Sequence, residues 1–388
     1  MNKATRLAWI DNLRTFIIIL VVSMHACVTY SYVGGWYTNH PPGPSNFELT
    51  IFILWQAHLQ SFFMGLLFFL AGTFAHRGMQ KRGSMNFLKE RMVRLGIPSL
   101  IYMLCIEPLL TYSQLNPGEN DVSQPYNAYW FEYITSGKFF AGSGPTWFAV
   151  ALLFFCCGYV FWVKIVRKQS SEKPNENNEI NPAPKPSSLI FFGLCLVVCS
   201  FVVRLFYPLG SGISNMQLGF FSQYISAFVL GIMSDQNGWF EALVKSKSAR
   251  TAGWIGLIFG PVFLICLVSA GGPPPQEGTI IYSGGWNPWA FGLAFWEQLT
   301  GLAIGLGIMS WFYRFGNATQ PLADWLSRRS FGVYMLHSPI MVVLTPACAS
   351  IADQSRLVAA LILTVASLIA SYVVTDLIIR VPGFRKII

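Results

Sequence analysis

Charged side chains are scarce in this sequence. Only 11% of its 388 residues are Asp, Glu, Lys or Arg, whereas 53% are hydrophobic. Soluble domains carry about 25% charged residues, so the composition excludes an ordinary soluble protein. Apolar runs recur from end to end at the length needed to cross a bilayer. The sequence therefore predicts an all-α membrane protein with many spanning helices.

Paired cysteines and clustered histidines are also lacking. The eight cysteines all fall within apolar runs and none forms a CxxC pair, so we expect small buried hydrophobes rather than disulfides. The five histidines are scattered along the chain. We therefore expect no metal site and no tightly bound cofactor. No small-residue cleavage site follows the first apolar run, so this run is expected to remain as a membrane span.

Ten apolar segments have approximately the length of a membrane-spanning helix. Because this number is even, both termini are expected on the same side of the membrane. We find no tandem repeat, and we interpret residues 1–388 as one domain with a flexible linker at about 166–187, a stretch rich in Asn, Glu, Lys and Pro. The predicted spans are 10–32, 49–75, 92–113, 145–165, 188–208, 216–234, 250–270, 288–312, 330–350 and 356–379.

The basic residues predict the orientation of these spans. All but Lys138, Arg204 and Arg356 of the 26 Lys and Arg residues fall on one face of the predicted bundle. Because Lys and Arg are enriched in cytoplasmic connections, we expect this face and both termini to be cytoplasmic. The net charge of +9 is thus assigned to membrane orientation, and no nucleic-acid partner is expected.

Three ionisable residues interrupt the first span. Asp11 and Arg14 share one face near its start because they are spaced i and i+3. His25 follows eleven residues after Arg14, which at about 1.5 Å per residue places it roughly 16 Å deeper, near the middle of the bilayer. Ionisable side chains at that depth are costly and usually functional. The alternative is a histidine that only packs within the bundle.

Two further polar patterns have candidate functions. Arg91 and Arg94 lie at i and i+3 at the start of the third span, where they can face one phosphate together or simply anchor the helix end. Ser330, Tyr334 and His337 form one stripe on the ninth span, with His337 about a third of the way in from the cytoplasmic side. This stripe is either catalytic or an interhelical hydrogen-bonding seam.

The outer half of the predicted bundle carries aromatic and polar residues. The loops at 33–48, 116–143 and 271–287 are rich in Gly, Pro, Trp and Tyr. Such side chains suit sugar faces and hydroxyls, although an interfacial aromatic belt is the alternative. His58 lies near this face, and Glu107 and Glu297 fall in apolar surroundings. Each glutamate is expected either to pair with a buried base or to be neutral and hydrogen-bonded.

Motifs along nearly the whole chain resemble the membrane acyltransferase-3 family. Within that family, Glu90–Pro98, Thr146-Trp-Phe148 and Arg380–Phe384 are most similar to the periplasmic glucan succinyltransferase group. The family motifs are Asp11-x-x-Arg14 followed by His25, Phe68-Phe-Leu-Ala-Gly72, Arg91-x-x-Arg94, Gly144-Pro-Thr-Trp-Phe148 and Ser330-Phe-Gly-x-Tyr334-x-x-His337.

The resemblance implies O-acyl transfer in a bacterial-type inner membrane. The donor would be cytoplasmic acyl-CoA, either acetyl-CoA or succinyl-CoA, and the acceptor a hydroxyl of a carbohydrate or glucan at the outer face. The residues that the resemblance and the spacing assign to the catalytic centre are His25 as general base, with Asp11, Arg14, His337 and Tyr334. The expected CoA ligands are Arg91, Arg94 and Arg14, and the expected acceptor-side residues are His58, Trp147 and Glu297.

Two other classes of protein fit the same intramembrane polar residues. A transporter or flippase for a glycan or small polar solute would use them as a proton relay or substrate path. The lack of a clear internal repeat counts against this class, because transporters often contain such repeats. A non-catalytic scaffold would use them only to hold its helices together.

Overall fold

The computed structural model describes residues 7–115, 124–169, 183–271 and 281–382. In these ranges the chain is all helical, with no β-strand, as the sequence predicted. The helices are α1 (Ala8–Ser31), α2 (Asn46–Arg82), α3 (Ser84–Ser113), α4 (Tyr126–Thr135), α5 (Trp147–Gln169), α6 (Pro186–Phe206), α7 (Phe221–Gln236), α8 (Trp239–Lys245), α9 (Lys247–Gly271), α10 (Pro288–Phe315), α11 (Pro321–Ser327), α12 (Ser330–Ala352) and α13 (Arg356–Ile378).

Within the described ranges, nine helices are long and apolar enough to cross a membrane. They correspond to nine of the ten predicted spans. The remaining prediction, 216–234, corresponds to α7, a helix of 16 residues that follows a short 3-10 turn at Leu218–Phe220. A spanning helix needs about 20 residues, so α7 alone is short for a crossing.

Glycine allows α7 to lie directly against α2. A Cβ atom added at Gly231 would come within 2.1 Å of the Phe69 carbonyl oxygen, and one at Gly72 within 2.1 Å of the Phe228 carbonyl oxygen. The two backbones therefore touch, which only residues without a side chain permit. This contact holds the middle of α7 inside the bundle despite its short length.

Two π-helical turns widen α3, at Met92–Gly96 and Tyr102–Ile106. Each is followed closely by a proline, Pro98 or Pro108, whose missing N–H disrupts the regular α-helical hydrogen-bond ladder. Because each wide turn rotates the side chains that follow it, residue spacing along α3 does not translate into α-helical faces.

The central helix is α1, which contacts α2, α10, α12 and α13. Leu13, Ile17 and Val22 on this helix have no exposed surface. Most of the predicted linker, residues 170–182, lies outside the described residues, and α5 extends to Gln169 before it. The side of the membrane on which the termini lie stays a prediction.

Candidate active site

A cavity of about 510 Å³ lies beside the C-terminal half of α1. This volume is typical of sites for small molecules. Side chains from α1, α2, α3, α5, α7 and α12 form its wall, together with the segment that joins α1 to α2. The polar and aromatic side chains at its surface include His25, Trp36, Tyr37, Gln60, Glu107, Trp147, Asn215, Gln217, Tyr224 and Tyr334.

Two histidines from different helices meet at this cavity. The Nδ1 atom of His25 on α1 lies 3.0 Å from the Nε2 atom of His337 on α12. The Nδ1 atom of His337 lies 2.7 Å from the carbonyl oxygen of Tyr334. The sequence predicted both histidines as functional, but it placed His337 nearer the cytoplasmic side than His25.

The hydrogen bonds of this pair assign its protons. A carbonyl oxygen only accepts, so His337 carries its proton on Nδ1 and its Nε2 atom is an acceptor. His25 must then donate from Nδ1 to His337. In the neutral pair, the free lone pair therefore lies on His25 Nε2, the arrangement that a general base requires.

Trp36 stacks against the His25 ring and restricts its orientation. The two ring centroids are 4.2 Å apart, with an angle of 21° between the rings, and Trp36 lies at a similar angle to His337. The Gln56 side chain holds the start of this loop by donating to the Val33 carbonyl over 3.3 Å. The sequence identified the loop only by its aromatic content and did not single out Trp36.

A carboxyl group faces the same cavity from α3. The Tyr37 hydroxyl donates to Glu107 Oε2 over 2.5 Å and lies 3.0 Å from the Tyr102 hydroxyl. Burial, and then the neighbouring Tyr102 and Glu107, raise the pKa of Tyr37, so this phenol remains protonated and donates. Glu107 thus presents a polar group to the cavity, a position that its apolar sequence context did not reveal.

The predicted stripe on α12 divides into separate contacts. Ser330 Oγ lies 3.0 Å from Thr15 Oγ1 of α1, a contact between helices. The Tyr334 hydroxyl donates to the Pro145 carbonyl oxygen, which ties α12 to the turn before α5. His337 alone of the three contacts His25, so the stripe combines a structural seam with one member of the histidine pair.

The predicted donor-binding residues do not line the cavity. Arg14 lies over the Phe74 ring at 4.6 Å near the basic end of α1, with Asp11 and Arg91 within electrostatic range. Arg14 and Arg91, from α1 and α3, are therefore close enough to interact electrostatically, and both are half-buried. Asp11 offsets part of their positive charge, and an anion between the two guanidinium groups would offset the rest.

Arg94 has different surroundings from Arg91. Its side chain is 63% exposed and its Nε atom lies 3.3 Å from Glu90 Oε1. Arg94 lies within the π-helical turn at Met92–Gly96, so its direction differs from that on a regular α-helix. The three-residue spacing predicted a shared anion site, and this stays a prediction, since Arg91 lies within electrostatic range of both Arg94 and Arg14.

The chain has recognisable relatives among known proteins. Residues 7–376 match the acyltransferase-3 family model, which is described as an acyltransferase domain. The chain belongs to the acyltransferase-3 family. Glucans biosynthesis protein C of Escherichia coli K12 is 21% identical over 355 residues, covering 87% of this chain and 82% of that protein. Two further K12 strain sequences of that protein match equally, and no solved structure matches.

The three residues predicted for the acceptor side of this acyltransferase do not lie together. One lines the cavity and the other two lie outside it. Trp147 lines the cavity and stacks on Tyr224, with ring centroids 5.7 Å apart. His58 lies outside the cavity, where its Nδ1 atom is 2.7 Å from the Leu54 carbonyl oxygen and its ring packs against Trp296. His58 therefore lies on a different face of α2 from Gln60, which lines the cavity.

Glu297 of the acyltransferase forms a buried ion pair. The Nη2 atom of Arg204 donates to both carboxylate oxygens, over 2.7 and 2.9 Å, and its Nε atom donates to the Gly219 carbonyl. Arg204 has no exposed surface. Its guanidinium lies over Phe220, whose other side faces the cavity. Glu297 thus pairs with a buried base behind the cavity wall.

Proposed function

We propose that this protein is an integral membrane O-acyltransferase. It transfers an acetyl or succinyl group from acyl-CoA at the basic face to a hydroxyl of a carbohydrate or glucan at the opposite face. The observation that carries the proposal is the His25–His337 pair, which presents a free imidazole lone pair to a cavity of sugar-compatible side chains.

The chemistry follows from the protons of the pair. His25 Nε2 takes the proton of the acceptor hydroxyl while the hydroxyl oxygen attacks the thioester carbonyl carbon. The new carbon–oxygen bond forms, the carbon–sulfur bond breaks, and His25 returns the proton to the leaving CoA thiolate. His337 accepts from His25 Nδ1 throughout and stabilises the transient imidazolium, as an orienting partner.

Arg14 and Arg91 are proposed to hold the phosphates of the donor. Eleven residues of α1 separate Arg14 from His25, a distance of roughly 16 Å that an extended pantetheine arm can cover. Guanidinium groups are suited to phosphate oxygens. In this arrangement the nucleotide stays at the basic end while the thioester reaches the histidines.

The cavity wall supports a carbohydrate acceptor. Amide and carboxyl groups at Gln60, Glu107, Asn215 and Gln217 can bond several hydroxyls, and Trp147 offers a face to a sugar ring. The name of the relative, glucans biosynthesis protein C, supports a glucan as the carbohydrate acceptor.

The direct test uses purified protein in sealed vesicles. Labelled acetyl-CoA or succinyl-CoA and a glucan are supplied, and the glucan is analysed by mass spectrometry. Acylated glucan is expected with one of the two donors. Uptake of unmodified glucan without acylation would instead identify a transporter and contradict the proposal.

Arg91 and Arg94 should differ in their effect on the donor. Arg91→Ala is expected to raise KM for acyl-CoA by about tenfold, because a charge-assisted hydrogen bond contributes about 1.5–3 kcal/mol. The KM for the acceptor should not change. Arg94→Ala is the matched control and should leave both constants near those of the parent, because this side chain is exposed and bonded to Glu90. Equal effects of the two variants would refute the assignment of Arg91.

Glu107→Gln should affect the acceptor instead. The amide keeps the shape and can still accept from Tyr37, but it bonds sugar hydroxyls less strongly than a carboxylate, so KM for the acceptor should rise about tenfold. Glu132→Gln, at an exposed site paired with Lys138, is the control. Steady-state kinetics that show a changed KM for acyl-CoA, or no change at all, would contradict this role.

A further inference from the structure

A second cleft lies at the end of the bundle opposite the His25 cavity. Its volume is about 600 Å³. The start of α9 and the end of α10 form its walls, near the start of α1, since Trp9 packs edge-on against Tyr313 of α10. The lining residues are Lys247, Arg250, Thr251, Trp254, Trp311, Arg314 and Phe315.

The cleft lies where α9 and α10 pack closely against each other. A Cβ atom added at Gly253 would lie 2.7 Å from the Cα atom of Gly307, so the two backbones are in contact there. One residue further along α9, Trp254 packs against Trp311 with ring centroids 5.0 Å apart. These two indoles form an apolar part of the cleft lining.

The cleft is positively charged without a compensating acid. Its lining contains Lys247, Arg250 and Arg314 but no carboxylate. Within the described part of the chain, none of these three cations forms an ion pair, and the nearby Glu241 is bonded to Lys245 over 2.5 Å. The first turn of α9 adds the positive end of a helix dipole. The cleft is therefore suited to an anion.

Arg250 is held in place inside this cleft. Its Nη1 atom donates to Ser310 Oγ over 3.0 Å and approaches the Lys245 carbonyl at 3.4 Å. Neither partner neutralises its charge. A guanidinium fixed by neutral groups is a pre-oriented anion ligand, because binding costs it little further side-chain entropy.

The rim of the cleft is apolar and exposed. Trp254 is 57% exposed and Phe315 is 71% exposed. The helix α9 is the least buried of the nine candidate spans, which places it on the bundle surface. Tryptophan at a helix end is typical of the bilayer interface. The cleft thus joins a cationic wall to an apolar, lipid-facing rim.

We propose that this cleft binds the headgroup of an anionic membrane phospholipid. The three cations bond the phosphate oxygens, and the Trp254 and Phe315 side chains lie against the glycerol and upper acyl chains. Basic pockets between helices on the cytoplasmic side are typical sites for such headgroups. A zwitterionic lipid brings its own ammonium group and is disfavoured, because the cleft has no carboxylate to receive it.

Native mass spectrometry of the full chain can test this site. The purified protein is titrated with phosphatidylglycerol or with phosphatidylcholine of the same acyl chains. Lys247→Gln with Arg314→Gln should weaken phosphatidylglycerol binding roughly thirtyfold, since each interfacial cation contributes about 1 kcal/mol, and should leave phosphatidylcholine binding unchanged. Arg250 is kept because its bond to Ser310 joins two helices.

Three further variants separate this site from general surface charge. Lys164→Gln with Arg328→Gln removes two exposed cations elsewhere and should not alter phosphatidylglycerol binding. Lys247→Arg with Arg314→Lys keeps the charge and should retain binding. Thr251→Trp fills the cleft without removing a cation and should weaken binding. Equal phosphatidylglycerol binding by the parent and by Lys247→Gln with Arg314→Gln would overturn the proposal.

Competition distinguishes the lipid from other anions. Inorganic phosphate at millimolar concentration and acyl-CoA are added to the lipid-bound protein. Neither should displace phosphatidylglycerol, because phosphate has no acyl chain and the acetyl or succinyl group of the donor is too short to lie along the apolar rim. Displacement by phosphate would indicate a site for free anions, and displacement by acyl-CoA would make the cleft part of donor binding. Either result would overturn the lipid assignment, while leaving the proposed acyl transfer intact.

Discussion

Replacing His25 with alanine should lower kcat for acyl transfer by about a hundredfold to ten-thousandfold, the usual contribution of a general base. The physical reason is that His25 lines the cavity, whereas the Nε2 atom of His337 lies against His25, so His337 does not replace the lost base. The KM for acyl-CoA should change little. The measurement is label transfer to a glucan by vesicles that contain equal amounts of protein.

The control for this experiment is His40→Ala. His40 is also a histidine of the outer half, but its Nε2 atom contacts Asp353 at 3.0 Å and it does not line the cavity. It should retain the activity of the parent. If His25→Ala stays monodisperse and keeps full activity, His25 is not the base and the proposed mechanism is wrong.

Replacing Glu297 with leucine should destabilise the protein by about 3–5 kcal/mol, because Arg204 would be left as an uncompensated buried charge. Its guanidinium has no exposed surface and depends on Glu297 for two hydrogen bonds. The expected result is a much lower midpoint of thermal unfolding in detergent. Activity should fall only through loss of folded protein.

The double variant with Arg204→Met and Glu297→Leu separates structure from acceptor binding. Removing both charges replaces the ion pair with apolar side chains of similar size, a change that is often neutral or stabilising. The double variant should therefore recover most of the unfolding midpoint and the activity. If it recovers stability but the KM for the acceptor remains high, Glu297 contributes to acceptor binding as the sequence first indicated.

The sequence located the histidine pair because each member interrupts an apolar helix. His25 and His337 are conspicuous by residue type alone, and the family resemblance adds their motifs. Their mutual distance was not predictable, because it depends on where α12 begins. Ser330, the first residue of α12, contacts Thr15 of α1 inside the bundle. His337, further along α12, therefore lies beside His25.

The errors and omissions arose where helix geometry departs from regular spacing. Arg94 lies inside a π-helical turn, so its three-residue spacing from Arg91 does not fix the relative direction of the two side chains as it would on an α-helix. His58 and Gln60 differ by two positions, yet only Gln60 lines the cavity. Which face of a helix meets the cavity depends on the packing of all its neighbours, which one sequence does not contain.

The contacts of Trp36 and Glu107 are a second case that could not be predicted from the sequence. Trp36 reaches His25, and Tyr37 reaches Glu107 of α3, because the segment between α1 and α2 folds back over the end of α1. The aromatic composition of that segment indicated a sugar-binding surface, but no spacing rule connects a loop residue with a particular helix. The contact between Trp36 and His25 is therefore visible only in three dimensions.

The hydrogen-bond chain of the histidines ends on the backbone carbonyl of Tyr334. A carbonyl at that position neither supplies nor removes a proton, so this chain carries no proton beyond His337. In the proposed mechanism the proton taken from the acceptor therefore leaves with the thiol product. We expect acyl transfer at this pair to be insensitive to the proton-motive force, with the thioester supplying the free energy.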